Sequence, residues 1–179
     1  MKILGKNSLS SKVENGLKIL FCIIALLDFI VLGVCGVTLF SEYTSSSMIE
    51  NYLFRIILLT ITSLVFIITG IVALFIIYQF IKIFKNLREN KLFEMNNIKY
   101  LNKISTLSII MGVLYIICLI GVSIALNHYS SFEILSDILI KLLIFVFGIT
   151  FLVFGIGIRI LNEIYKKAIT YKEENDLTI

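Results

Sequence analysis

The chain has 179 residues, of which 59% are hydrophobic and 16% charged, with a formal net charge of +4 and a mean hydropathy of +1.01. An ordinary soluble domain is roughly 45–50% apolar and about 25% charged, and one of this size buries only about 70% of its unfolded surface. Such a surplus of apolar residues cannot be hidden in a core, which excludes a water-soluble globular domain and makes lipid the solvent.

Four segments carry the surplus, and each meets the requirement of about 20 mainly apolar residues to cross roughly 30 Å of hydrocarbon. The first runs over residues 19–40 behind a basic start of Lys2, Lys6, Lys12 and Lys18. A secretion signal has an apolar core of only about 7–15 residues, so this longer run reads as a retained anchor. LGVCG around Cys35 is no lipoprotein cleavage site either, because bulky Val34 precedes the cysteine. Within IALLDFIVLG a single aspartate, Asp28, interrupts the run.

The second and third segments, 56–81 and 104–126, contain no charged residue. The fourth, 138–158, has Lys141 near its start, where a long side chain reaches out to the interface. The predicted fold is therefore all-α, an antiparallel bundle of four transmembrane helices in a single domain over residues 1–179. The chain has no proline, which argues against the broken helices that transporters use to hold substrate at mid-membrane.

Basic residues set the expected orientation. Beyond the N-terminal lysines, Lys82, Lys85, Arg88, Lys91, Lys99 and Lys103 fall in the connector 82–103, and Arg159, Lys166, Lys167 and Lys172 in the tail 159–179. The two other loops hold only Arg55 and Lys141, beside Glu42, Glu50, Glu133 and Asp137. The positive-inside rule then predicts a multi-pass membrane protein with both termini on the cytoplasmic side. The same lysines face anionic headgroups, so the bilayer is the first partner and the net charge implies no direct nucleic-acid binding. Tyr43, Tyr52, Tyr129 and Phe132 fall at the outer boundary and Tyr78, Tyr100, Tyr165 and Tyr171 at or beyond the inner one, as an interfacial aromatic belt requires.

Tyr115 is the tyrosine left deep in the membrane. Counting about 1.5 Å per residue from the inner charges, Asp28 lies ten residues beyond Lys18, Tyr115 twelve beyond Lys103, Thr150 nine before Arg159 and Thr69 thirteen before Lys82. Asp28, Thr69, Tyr115 and Thr150 thus form a candidate polar cluster near the midplane. An ionised carboxylate there costs on the order of 2.5–3.5 kcal/mol on insertion scales, so Asp28 should face protein. Three roles stay open for it: a polar clasp between helices, a proton or ion site, or the border of a wet cavity or ligand pocket.

Small residues mark close packing. Ser108 and Gly112 form a small-xxx-small pair, Gly121 and Ala125 a second, and Gly148 and Gly155, seven apart, a seam on the fourth segment. An offset of 85 residues aligns Gly36 with Gly121, Gly70 with Gly155 and Ser45 with Ser130, the trace of a duplicated helical hairpin in which Asp28 falls on Val113. Cys22, Cys35 and Cys118 show no CxxC spacing and read as small buried hydrophobes, while the lone His128 of NHYSS reads as a solvated loop residue. No metal site, cofactor or catalytic residue is expected. No HExxH, serine–base pair or phosphate-binding glycine loop occurs, and the loops are too short for a folded catalytic domain.

The connection IKIFKNLRENKLFEMNNIKYLNKIS and the closing KEENDLTI resemble the bacterial four-span membrane family catalogued as domain of unknown function 2975. Its members similarly pair an inner FxNxxxL-like connector with an acidic tail ending near DLTI. The resemblance covers essentially the whole chain, with the tail as its most specific part. Asn90 and Ala168 stand where glycines are expected, which bears on the local turns. The connector itself reads as an extension of the second helix through about Leu87, a turn over 89–91, a Leu92–Phe93 patch whose phenylalanine tucks under the bundle or into the interface or else serves a binding role, and Asn96 or Asn97 as N-cap of the third helix.

The tail runs against the basic pattern of the inner side. Glu173, Glu174, Asn175 and Asp176, followed by Leu177, Thr178 and Ile179, read either as a solvated end or as a docking segment with two apolar anchors and a terminal carboxylate. The family resemblance implies a partner, because its members are often encoded beside a small Cro-type helix-turn-helix regulator. Two functions therefore stand side by side. One is a non-enzymatic sensor or signalling protein acting through such a regulator, or giving envelope-stress or peptide immunity. The other is a small proton- or ion-coupled transporter, or channel-like homo-oligomer, built on Asp28.

Overall fold

The computed structural model describes residues 8–44, 52–92, 94–127 and 134–176. Four helices account for nearly all of them: α1 (Leu9–Thr44), α2 (Tyr52–Arg88), α3 (Met95–Asn127) and α4 (Ile134–Asp176), with no strand among the described residues. Each contains a stretch long and apolar enough to cross a membrane. The all-α, four-helix expectation holds, and every predicted span lies within one helix.

The helices exceed the spans chiefly at one end of the molecule. Helix α1 begins ten residues before residue 19, α2 continues seven past 81, α3 starts nine before 104 and α4 runs eighteen beyond 158. Elongation adds one backbone hydrogen bond per residue once a helix exists, so the Lys-, Asn- and Glu-rich flanks carry it on into the polar layer. These extensions meet: Glu14 of α1 pairs with Arg88 of α2, and Asn86 of α2 bonds Asn97 of α3. The start of α1, the α2–α3 connector and the end of α4 therefore share one end of the molecule.

Consecutive helices pack against each other in chain order, and among the described residues the α1 backbone comes close to that of neither α3 nor α4. The apolar core lies among the other three, with Ile76 of α2, Ile104 and Met111 of α3 and Ile158 of α4 at its centre. Phe80 and Phe154, with ring centroids 6.5 Å apart, close α2 onto α4. Helix α1 lies along the flank of α2 and exposes most of its apolar surface, Phe29 by 78%. In water such a surface would aggregate, whereas in acyl chains it is ordinary.

The α3–α4 pair is the tightest contact. A line of buried or half-buried positions runs along α4 through Ile144, Gly148, Phe151, Gly155, Ile158, Asn162, Tyr165 and Ile169, and another along α3 through Asn97, Leu101, Ile104, Ser108, Met111, Tyr115 and Cys118. Alternating steps of three and four residues give each helix one straight seam, the pattern of left-handed helix pairs crossing at about 20°. Glycine is needed at the crossing: a Cβ on Gly112 would fall 2.5 Å from Leu152 Cγ, and one on Gly155 3.0 Å from the backbone oxygen of Ser105. Ser105 Oγ, fully buried, donates to the Gly155 carbonyl at 2.8 Å. The expected Ser108–Gly112 and Gly148–Gly155 contacts lie in this seam. Gly121, expected with Ala125 to mark a second close-packing face, has no described neighbour within reach of a Cβ.

Candidate functional site

Helix α2 ends in a turn built from its own sequence. Lys91 N–H donates to Asn86 O at 2.9 Å and Asn90 N–H to Leu87 O at 3.2 Å, the two bonds of a Schellman motif, with Asn90 left-handed at φ 61°. Asparagine tolerates that conformation better than any residue but glycine, which explains Asn90 where glycine was expected. The turn at 89–91 is where the sequence places it.

The cap of α3 is not. Helix α3 begins at Met95, so Asn96 and Asn97 both lie inside its first turn, and the expected N-cap role is corrected. Asn97, 2% exposed, instead donates through Nδ2 to Lys91 O and Leu92 O, both at 3.0 Å, and accepts from Asn86 Nδ2 at 2.7 Å. It braces the connector against both helices, using carbonyls that the turn leaves without helical partners. Phe93, expected to tuck under the bundle, lies outside the described residues, as does His128.

Beside this turn sits an acid that sequence reading passed over. Glu14, 1% exposed, accepts from Lys18 Nζ at 2.6 Å through Oε1, while Oε2 lies 3.2 Å from Arg88 Nη1. The first contact is a helical i, i+4 pair and the second ties α1 to α2. A signal existed: Glu14 is the one acid among four N-terminal lysines, fourteen residues and hence four helical turns before Asp28.

That spacing puts both acids on the α1 face formed with Leu17, Phe21, Ile24 and Cys35, the face turned to α2. Asp28 presents its carboxylate to Gly70, occupying the space that a side chain there would fill. The carboxylate thus faces protein, as the cost of ionisation in lipid demanded. Its Oδ2 is buried and has no hydrogen-bond partner.

The three hydroxyl residues expected around it are dispersed. Thr69, next to Gly70 and 5% exposed, donates to Phe66 O at 2.8 Å. Thr150 donates to Val146 O at 2.7 Å from an exposed position on α4. Tyr115 lies in the α3–α4 seam, its ring parallel to Phe151 at 5.8 Å and near Phe147 at 6.1 Å. No hydrogen bond joins any two of the four residues, and among the described residues the α1 backbone is close to that of α2 and not to that of α3 or α4. A threonine in a helix can satisfy its hydroxyl on the carbonyl one turn back, which removes the need for a distant partner.

At the tail, α4 stays helical through Asp176, with Glu173, Glu174 and Asn175 exposed; Leu177, Thr178 and Ile179 lie outside the described residues. No disulfide joins the three cysteines, which differ from one another: Cys118 is buried, Cys35 half-buried and Cys22 exposed, so only Cys118 is the buried hydrophobe expected. Among the described residues no group of three His, Cys, Asp or Glu side chains is arranged to hold a metal ion.

The connector, the α3–α4 seam and the tail all lie within residues 42–179, and over that span the chain matches the family model described as protein of unknown function (DUF2975). The chain belongs to this family. DUF2975 thus covers α2, α3, α4 and the tail, more narrowly than the whole-chain resemblance expected, and leaves Glu14 and Asp28 outside the matched residues. No curated protein and no solved structure matches the chain.

Proposed function

We propose that this DUF2975 protein is a non-enzymatic signalling protein of the bacterial cytoplasmic membrane, with both ends in the cytoplasm. On this reading it passes an event in the bilayer to a cytoplasmic partner docked on the tail. The observation that carries the reading is the continuity of α4. Its 43 residues span about 64 Å at 1.5 Å per residue, twice the hydrocarbon thickness. Its seam continues from Gly148 and Gly155 within the membrane to Asn162 and Ile169 beyond it. A shift of α3 against α4 in the lipid is therefore transmitted along a packed helix to Glu173 and Glu174, whose charge suits a basic partner such as a helix-turn-helix regulator. Sensing of envelope stress or immunity to a membrane-active peptide fits the same arrangement.

Photocrosslinkers placed along α4 in living cells test this. A DNA-binding protein should crosslink to the full chain and be lost when residues 173–179 are deleted. Capture of the same proteins by both forms would remove the docking role of Glu173, Glu174, Asn175, Asp176, Leu177, Thr178 and Ile179.

One observation supports a second reading, a proton-coupled flux through Asp28: the unpaired Oδ2 against Gly70. In proteoliposomes this reading requires a proton flux that Asp28→Asn abolishes and tail deletion spares. Signalling through the tail requires no such flux, and its partner capture is lost on tail deletion and kept in Asp28→Asn.

A further inference from the structure

Between α2 and α3 a groove of about 440 Å³ is lined by Phe75, Gln79, Asn102, Lys103, Thr106 and Leu107. Gln79 is 6% exposed, and its Oε1 is buried with no hydrogen-bond partner. An amide oxygen removed from water without a donor is unstable relative to one that has found a donor, so the groove wall lacks one hydrogen bond. Lys103 is exposed at its rim, and Thr106 Oγ1 donates to Asn102 O at 3.0 Å, keeping its lone pairs to accept.

The depth of the groove narrows the ligand. Gln79 is one turn from Lys82, whose Nζ lies 4.3 Å from the Tyr78 ring centroid and 5.5 Å from that of Tyr100. Paired lysine and tyrosine of this kind mark the headgroup level. Phe75 and Leu107 lie one turn further toward the hydrocarbon. The groove thus sets a cation and an acceptor in need of a donor side by side at headgroup level above an apolar floor, as needed by a phospholipid whose phosphate and headgroup hydroxyl both lie above its acyl chains.

We propose that this groove binds one anionic phospholipid from the leaflet on the connector side, with its phosphate on Lys103, a headgroup hydroxyl donating to Gln79 Oε1 and an acyl chain along Phe75 and Leu107. A choline headgroup has no N–H or O–H to donate and carries no net charge, so it meets neither requirement. The site stands apart from Asp28 and from the tail, and it does not depend on the signalling reading.

Native mass spectrometry of the full detergent-solubilised chain, offered equal dioleoylphosphatidylglycerol and dioleoylphosphatidylcholine, tests the assignment. One phosphatidylglycerol should be retained preferentially, and Lys103→Gln should lower its retention about fivefold, as expected for one lysine at the membrane surface. Gln79→Leu should also lower it while helical circular dichroism is unchanged. Lys85→Gln, an exposed lysine outside the groove, should keep wild-type retention. Should Gln79→Leu fail to insert, Lys103→Gln and Lys85→Gln decide alone. Equal retention of the two lipids, full retention by Lys103→Gln, or an equal loss in Lys85→Gln would each overturn the proposal, the last by revealing diffuse attraction.

Discussion

At the scale of single residues, the end of the molecule that carries the connector is governed by polar side chains in unusual surroundings. Asn90 holds a left-handed backbone, which costs a β-branched residue roughly 1–2 kcal/mol and glycine nothing. Thermal denaturation in detergent should therefore find Asn90→Gly neutral or slightly stabilising and Asn90→Val destabilised by about that amount. Glu14 has more at stake, because removing one member of a buried pair leaves the other without compensation, at about 3–5 kcal/mol in fully buried cases. Arg88 is 30% exposed, so Glu14→Gln should cost less, roughly 1–3 kcal/mol, and a double-mutant cycle with Arg88→Met should show strong coupling. The nearby Glu89–Lys91 pair, 3.1 Å apart, makes a contrast. A hydrogen bond from Lys91, then its charge, holds the Glu89 carboxyl below its usual range, and the same contact raises Lys91. What stability this adds is present at neutral pH. It is lost on the acid side as pH falls through the lowered Glu89 pKa and on the alkaline side as pH rises through the raised Lys91 pKa. Both groups are fully solvated, so Glu89→Gln should leave the midpoint at pH 7 unchanged at about 0.15 M salt.

At the scale of helices, glycines sort by what approaches them. Gly112 and Gly155 lie where the α3 and α4 backbones cross, and Gly155→Ala or Gly112→Ala should destabilise the pair by about 1–3 kcal/mol, as overpacking does. Gly121→Ala, in open space, should be tolerated, and unfolding in mixed micelles would distinguish them. The aligned pair Gly70 and Gly155 shows how far a duplicated hairpin can be read. Both receive the neighbouring helix, but at Gly155 the visitor is α3 backbone and at Gly70 it is the end of the Asp28 side chain. Spans, their number and the inner turn were legible because hydropathy and turn chemistry are local properties. The positions of Asp28, Thr69, Tyr115 and Thr150 along their helices were legible for the same reason. Their azimuth was not, because it depends on which helices touch. Glu14 and Asn97 escaped notice because charged and amide residues near a basic boundary look solvated until a partner helix covers them.

At the scale of the whole molecule, a crossing by each of the four apolar helices would place the start of α1 and the end of α4 on one face of the bilayer. In a variant lacking Cys22, Cys35 and Cys118, cysteines introduced as Asn15→Cys and Thr170→Cys should react with an impermeant maleimide from the same side of sealed vesicles, and Asn127→Cys from the other. Reaction of the first two from opposite sides would mean an odd number of crossings. The molecule is a three-helix unit of α2–α4 with α1 laid along it, and the unit coincides with the part matched by DUF2975. Helix α1 is fastened to α2 by charge at Glu14 and packs along it through Leu17, Phe21 and Ile24 as far as Asp28 against Gly70. Asp28 stands fourteen residues from that ion pair, about 21 Å up the helix, so a swing of about 10° there would carry its carboxylate nearly 4 Å from Gly70. A tilt that small lies within what a helix adopts to match bilayer thickness, and the seating of Asp28 should therefore follow the acyl-chain length of the surrounding lipid.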